Sequence, residues 1–404
     1  MPNTEQTEND GAEARRLAAL VAGASVLQVA ESMLPHPLPG VRLGLANIMT
    51  LVALVYLGPG PAVGLVVVRT LVSSIILGTF LSPAFWLSFA GGLGSTAVMT
   101  GLFIWSERFG RAGFSLIGIS VAGAATHMLA QVTLVYLVFI RSPGVLLLWP
   151  WLGLGAVATG IVTGLIAVQA VARIDESGDE IRAQNAECRV QNGGGGHRDA
   201  PATGGSHIPV EVKLIAVVVF GLVVVFWANY WFYGAAFAML IVLSLPARAG
   251  LRPLTRNLAR LWPLALAALV MPLFFTNSGR VLLTLGSWHL TTDGVGQGVT
   301  FCCRLILLYF ATSLLAETTT PARTATALGR LLRPLRVVGI RPDQLAQVLA
   351  LSWEYFGRFW GGAKALVAER SVRLTSQSRF GRLVRLPGDI VAALYLMASE
   401  EGAA

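Results

Sequence analysis

Apolar stretches close to 20 residues long recur through the chain, and that length constrains what it can fold into. About 20 apolar residues in a helix cross the hydrocarbon core of a bilayer. Composition points the same way. The 404 residues are 54% hydrophobic and 13% charged, with mean hydropathy +0.67, whereas a soluble domain carries about 25% charge. The expected fold class is an all-α polytopic membrane protein.

The spans divide the chain. Residues 1–16 are polar and read as a disordered cytoplasmic tail. A six-span domain, 17–173, has its first span at Leu17–Met33 and the others near 45–58, 62–80, 84–105, 114–140 and 144–172. Residues 174–209 carry DESGDE, NGGGGH and PATGGSH. They cannot bury enough apolar surface to fold and read as a flexible linker. A second half, 210–404, has about four spans, near 212–228, 232–246, 261–277 and 298–316. NYWFYG reads as an aromatic turn between the first two, and a polar loop with Trp288, His289 and Asp293 precedes the last. Residues 317–404 hold twelve Lys/Arg against seven acidic residues, with shorter apolar runs at Leu345–Trp353 and Ile390–Met397. Such a mixture predicts cytoplasmic amphipathic helices forming a platform at the inner face.

Arg15, Arg16, Arg108, Arg111 and Arg173 fall on one side of the first six spans, and Arg42 and Arg141 on the other, five against two. The positive-inside tendency then puts the N-terminus in the cytoplasm. That tendency also accounts for the net charge of +9, and no nucleic-acid-binding module is present, so nucleic acid is not an expected partner. Cys188, Cys302 and Cys303 form no CxxC pair or disulfide framework. There is no Walker A loop, HExxH or paired aspartate-rich motif, so neither catalysis, a metal nor a cofactor is expected. The halves differ in span number and loop pattern, which argues against an inverted-repeat transporter.

Glu31–Leu51 separates the first two apolar runs. Pro35, Pro37, Pro39 and Gly40 interrupt any helix there, and LGLAN restarts one. Broken backbone at membrane depth is tolerated where it lines a cavity or packs on protein, so this segment reads as one wall of an outward-facing binding site. Ionisable groups inside spans are functional candidates. The expected substrate-binding residues are Glu31, Arg42, Asn47, Arg69, His127 and Gln131. Glu31 shares a helix face with Gln28, and His127 shares one with Gln131. Two arginines at one cavity favour an anionic or strongly polar ligand. Glu31 and Arg42 could instead pair at the rim. Ala18, Ala22 and Ser25 stripe the first span at small-xxx-small spacing; the stripe serves either contact with the second half or packing inside the six-span bundle.

Residues 17–173 resemble the Gx transporter family, also known as heptaprenyl diphosphate synthase component I. The likeness rests on ES…P…LPGVRLGLANI.TL, on Arg69 with Ser73, on AGG at 90–92 and on GISVAGAATHMLAQ. The resemblance implies a six-helix substrate-binding S-component of an energy-coupling factor (ECF) transporter. Residues 210–404 resemble the EcfT/CbiQ transmembrane T-component, through Arg304, ETTTPARTATALGRLLRPLRVVGI at 317–340, the helix Gln344–Ala363 and ALVAERS at 365–371. In that family two coupling helices each end in an Ala-Arg-Gly/Ser motif that docks on an ABC ATPase. Arg370 and Ser371 match the first motif; the second would fall near Ala398-Ser399-Glu400, where no arginine occurs.

Together these resemblances imply a multi-pass prokaryotic plasma-membrane subunit of an ECF-type importer. It would combine capture of a small-molecule micronutrient or precursor with energy coupling to separate ABC ATPases. The alternative is a non-transporting membrane accessory of isoprenoid or quinone synthesis.

Overall fold

The computed structural model describes residues 4–33, 44–109, 113–140, 143–185, 209–227, 229–245, 265–266, 268–276, 278–285, 288–331, 342–373 and 379–403. Arg42, the three prolines beside it and most of the Gly-rich linker lie outside these residues.

The front half is a helical bundle: α1 (Thr4–Met33), α2 (Leu45–Leu57), α3 (Pro59–Ile76), α4 (Pro83–Phe109), α5 (Leu116–Leu134) and α6 (Trp149–Asn185). A π-helical turn, Val135–Ile140, prolongs α5, and a 3-10 turn, Pro143–Leu148, leads into α6. The chain reverses between α2 and α3 at Gly58 alone, whose φ of 84° suits glycine, and Pro59 opens α3 with its φ already helical. Ser115 caps α5 by accepting from the Gly118 N–H.

The rear half comprises α7 (Val210–Phe226), α8 (Tyr230–Ser244), α9 (268–275), α10 (Thr292–Thr318), α11 (Pro321–Leu331), α12 (Pro342–Arg373) and α13 (Arg379–Ala403). Helices α3, α4, α5 with its extension, α6 and α10 are long and apolar enough to cross a membrane. The chain is an all-α polytopic membrane protein, with one small hairpin among the described residues.

Four local features differ from the sequence expectation. Helix α1 begins at Thr4, inside the stretch read as a tail, and α6 runs on to Asn185, into the stretch read as linker. Beyond the apolar part of α6, Arg173 pairs with Glu176 one turn on, which supports the helix where hydrophobicity ends. The aromatic NYWFYG is not a turn. Asn229 caps α8 through the Trp231 N–H, so the aromatics form its first turns. The expected polar loop before α10 contains an antiparallel hairpin, β1 (Val281–Leu285) with β2 (Trp288–Thr291), in register Leu285↔Trp288 and Val281↔Thr291 with a bulge between. Thr291 ends β2 and caps α10.

The two halves share their cores. One apolar cluster joins α1–α3 to Val348, Leu349, Tyr355 and Phe359 of α12 and to Val391, Leu394 and Ala398 of α13. A second joins Met128 and Val132 of α5 and Ala156 of α6 to Tyr233, Leu240, Phe301 and Leu305 of α8 and α10. Within the front bundle, Gly160 and Gly164 of α6 press against the α5 backbone. A Cβ there would lie 2.7 Å from Val121 Cα and 2.8 Å from Ile117 Cα respectively. That close approach lets Ser120 and Thr163 hydrogen-bond at 2.9 Å.

Candidate functional site

Alternating helix direction brings the C-terminal end of α1, the N-terminal end of α2 and the middles of α3, α5 and α6 to one depth. A cavity opens there. Its lining includes Glu31, Asn47, Arg69, His127 and Gln131, five of the six residues expected from sequence. Arg42, the sixth, lies outside the described residues.

Arg69 is the centre of the polar wall. It is 4% exposed. Its Nη1 donates to Gln28 Oε1 and its Nη2 to Asn47 Oδ1, each at 3.0 Å. A planar guanidinium can make two such bonds in fixed directions, which a lysine cannot. Its Nε is buried without a hydrogen-bond partner among the described residues. Glu31 is also buried, at 6% exposure. Its carboxylate accepts from the Gly44 N–H at 2.6 Å and the Leu45 N–H at 3.1 Å. Helix α2 starts at a glycine with no side-chain cap of its own. The carboxylate thirteen residues upstream supplies it, satisfying donors that helix geometry leaves free. Sequence reasoning offered Glu31 as a rim ion pair or a ligand contact and missed this role. The legible hint was a helix start, GLAN, without Ser, Thr or Asp before it.

On the facing wall, Gln131 Nε2 donates to Leu87 O at 3.3 Å, and that contact with a carbonyl fixes the amide orientation. The same nitrogen lies 3.1 Å from His127 Nε2, a contact that fits His127 as the acceptor in its Nδ1-protonated tautomer. Gly91 makes room for the ring: a Cβ at 91 would lie 2.7 Å from His127 Nε2. Gly92 next to it faces Val66 and the Arg69 guanidinium. The AGG triplet thus seats two of the expected site residues. Met99, Met128, Ser120, Thr159 and Thr163 also line the cavity and were not foreseen. Met128 and Ala156 reach further, since both pack in the cluster shared with α8 and α10.

The small-residue stripe lies on the other side of α1. Ala18, Ala22 and Ser25 are fully buried. Ser352 of α12 donates to the Ala18 carbonyl at 3.0 Å. A Cβ at Gly23 would stand 3.4 Å from Leu394 Cβ of α13. At the end of the bundle away from the cavity, the Tyr56 hydroxyl lies 2.6 Å from Asp175 Oδ1, and the Tyr56 ring packs 5.1 Å from Tyr395 of α13. Arg173 pairs with Asp389 at 3.4 Å. Burial pushes the Tyr395 hydroxyl above the usual tyrosine range. Arg370 and Ser371 lie near the C-terminal end of α12, and Ala398 and Ser399 in α13. In the rear half, buried Arg304 donates from Nε to Tyr233 Oη at 3.0 Å, joining α10 to α8. Among the described residues no group of three or more His, Cys, Asp or Glu could hold a metal ion.

Two family models match the chain in tandem: heptaprenyl diphosphate synthase component I over residues 20–170, and cobalt transport protein CbiQ over residues 203–403. Among curated proteins, the energy-coupling factor transporter transmembrane protein EcfT of Listeria innocua is 34% identical over 149 residues, 37% of this chain and 56% of that protein. EcfT of Limosilactobacillus fermentum is 28% identical over 141 residues, 34% of this chain and 50% of that protein. A Bifidobacterium longum protein named as an ABC transporter ATP-binding protein is 29% identical over 141 residues, 34% of this chain and 18% of its own length. The chain thus spans about half the length of the first two relatives. An S-component-like segment is fused to an EcfT-like T-component.

Proposed function

We propose that this fusion of an S-component-like bundle to an EcfT-like half is the membrane subunit of an ECF-type importer. The front bundle captures a small molecule in the cavity around Arg69, and the rear half transmits work from separate ABC ATPases. The observation that carries the reading is the double role of α1. One face supplies Gln28 and Glu31 to the cavity. Another is buried against α12 and α13, helices within the stretch that matches CbiQ. A shift of those helices would therefore tilt the wall of the cavity. Fusion also makes the contact between the halves intramolecular, at high effective concentration.

The orientation that suits this mechanism has the N-terminus and α11–α13 in the cytoplasm, the side of the excess arginines. Glu31, Asn47, Arg69, His127 and Gln131 contact substrate. Arg370 and Ser371 meet the ATPase, and the relative named as an ABC transporter ATP-binding protein supports such a partner. Ala18 and Ala22 hold the halves together.

Pull-down of the solubilised protein from its native membrane should recover an ABC ATPase. Arg370→Ala should weaken that recovery and abolish ATP-dependent uptake. Absence of the ATPase together with unchanged uptake in Arg370→Ala would overturn the reading. A second reading, an accessory of isoprenoid synthesis, draws on the name of the front-half family. It requires co-purification with a prenyl synthase and an altered product length. The T-like region, which such an accessory does not need, makes it the weaker of the two.

A further inference from the structure

We infer that the occupant of the cavity is a small, net-neutral polar molecule. It presents oxygen acceptors to the Arg69 wall and N–H or O–H donors to the α5–α6 wall. This rests on the reading of the cavity as the capture site and adds the chemical class of what is captured.

The first argument is charge balance. Glu31 and Arg69 are the Asp, Glu, Lys or Arg side chains among the described lining residues, one of each sign. Both charges are fixed at the first turn of α2, Glu31 through the Gly44 and Leu45 N–H groups and Arg69 through Asn47. A ligand with net charge would find the Arg69 charge already balanced by Glu31 and would give up its hydration without a free counter-ion among the described lining residues, which is costly away from water.

The second argument is the direction of the polar atoms. The carbonyl ends of Gln28 and Asn47 are taken by Arg69, so their NH₂ ends are left over. The buried Arg69 Nε–H also lacks a partner among the described residues. A buried unmatched donor is costly unless something fills it. That wall therefore offers donors and asks for carbonyl, carboxylate or hydroxyl oxygens. The opposite wall is reversed. Thr159 and Thr163 spend their hydroxyl hydrogens on helix carbonyls. Gln131 spends its NH₂ on Leu87 O and His127. What remains there are oxygen lone pairs, which ask for donors.

The test uses the full chain purified in lipid nanodiscs. Small molecules released on denaturation are identified by mass spectrometry for wild type, Arg69→Met, Arg69→Lys and Thr159→Val. The expected result is one net-neutral or zwitterionic molecule bearing both acceptors and donors. Its affinity should fall roughly 10–150-fold in the Arg69 variants, the worth of a hydrogen bond to a charged group. Thr159→Val leaves the buried charges untouched, so it reports on the ligand if the Arg69 variants fail to fold. As a second arm, sulfate is added during thermal unfolding. Sulfate should leave wild type unmoved and raise the midpoint of Glu31→Gln, in which Arg69 is uncompensated. An Arg69-dependent ligand with net charge, or a wild-type midpoint that sulfate raises, overturns the class and leaves the capture reading standing. A full set of released molecules unchanged in all three variants overturns both.

Discussion

Gly91→Ala adds one methyl group to a wall of the cavity, and its cost can be worked out. The new Cβ would lie 2.7 Å from His127 Nε2, 2.8 Å from Cε1 and 2.9 Å from Cδ2. The ring cannot swing aside freely, because Gln131 holds its Nε2 and Leu87, one turn before Gly91 on α4, holds Gln131. Overpacking of this kind costs about 1–3 kcal/mol. Loss of the Gln131–His127 bond adds about 0.5–1.5 kcal/mol. Replacing a helical glycine by alanine returns about 1 kcal/mol. The net destabilisation is roughly 0.5–3.5 kcal/mol, accompanied by weaker retention of the co-purifying ligand. Gly101→Ala on the same helix is the control. Nothing lies within 4 Å of its Cβ position, so the propensity gain should stand alone. Thermal unfolding in one detergent compares the two. A Gly91→Ala protein as stable as Gly101→Ala, with its ligand retained, would refute the claim that His127 is boxed against α4.

Two further substitutions probe the scaffold. Gly160→Ala forces α6 away from Val121 and should cost about 1–3 kcal/mol, read as a lower unfolding midpoint and a weakened Ser120–Thr163 contact. Glu31→Ala removes the acceptor for two α2 N–H groups and the counter-charge of Arg69. It should destabilise by roughly 2–5 kcal/mol, clearly more than Glu31→Gln, which keeps one acceptor; equal midpoints for the two would dismiss the capping role.

Much of this architecture could be read from the chain because apolar length is a strong signal. The α3, α4 and α10 segments were legible as spans, and the i,i+4 spacing of His127 and Gln131 foretold their shared face. What escaped was contact between distant parts. Glu31 reaches α2 across a proline-rich break, and no periodicity encodes that reach. Tyr56 meets Asp175 and Tyr395 only because α2, α6 and α13 converge. The hairpin was legible and was missed: Gly286-Ser287 between VLLTL and WHLT is a two-residue hairpin signal. The small stripe on α1 left its partner open between the two halves, and α12 and α13 pack against it.

The central claim is that the capture bundle rests directly on the helices that face the ATPase. Disulfide trapping between α1 and α13 tests it. The ideal Cβ position at Gly23 is 3.4 Å from Leu394 Cβ, close to the separation a disulfide spans, about 3.5–4.5 Å. In a background with Cys188, Cys302 and Cys303 changed to Ser, the Gly23→Cys, Leu394→Cys pair should cross-link in native membranes under mild oxidation. The link should also slow ATP-driven uptake reversibly, with activity restored by reductant. A pair that stays reduced in folded protein, or a cross-linked protein that transports at the full rate, would contradict the claim.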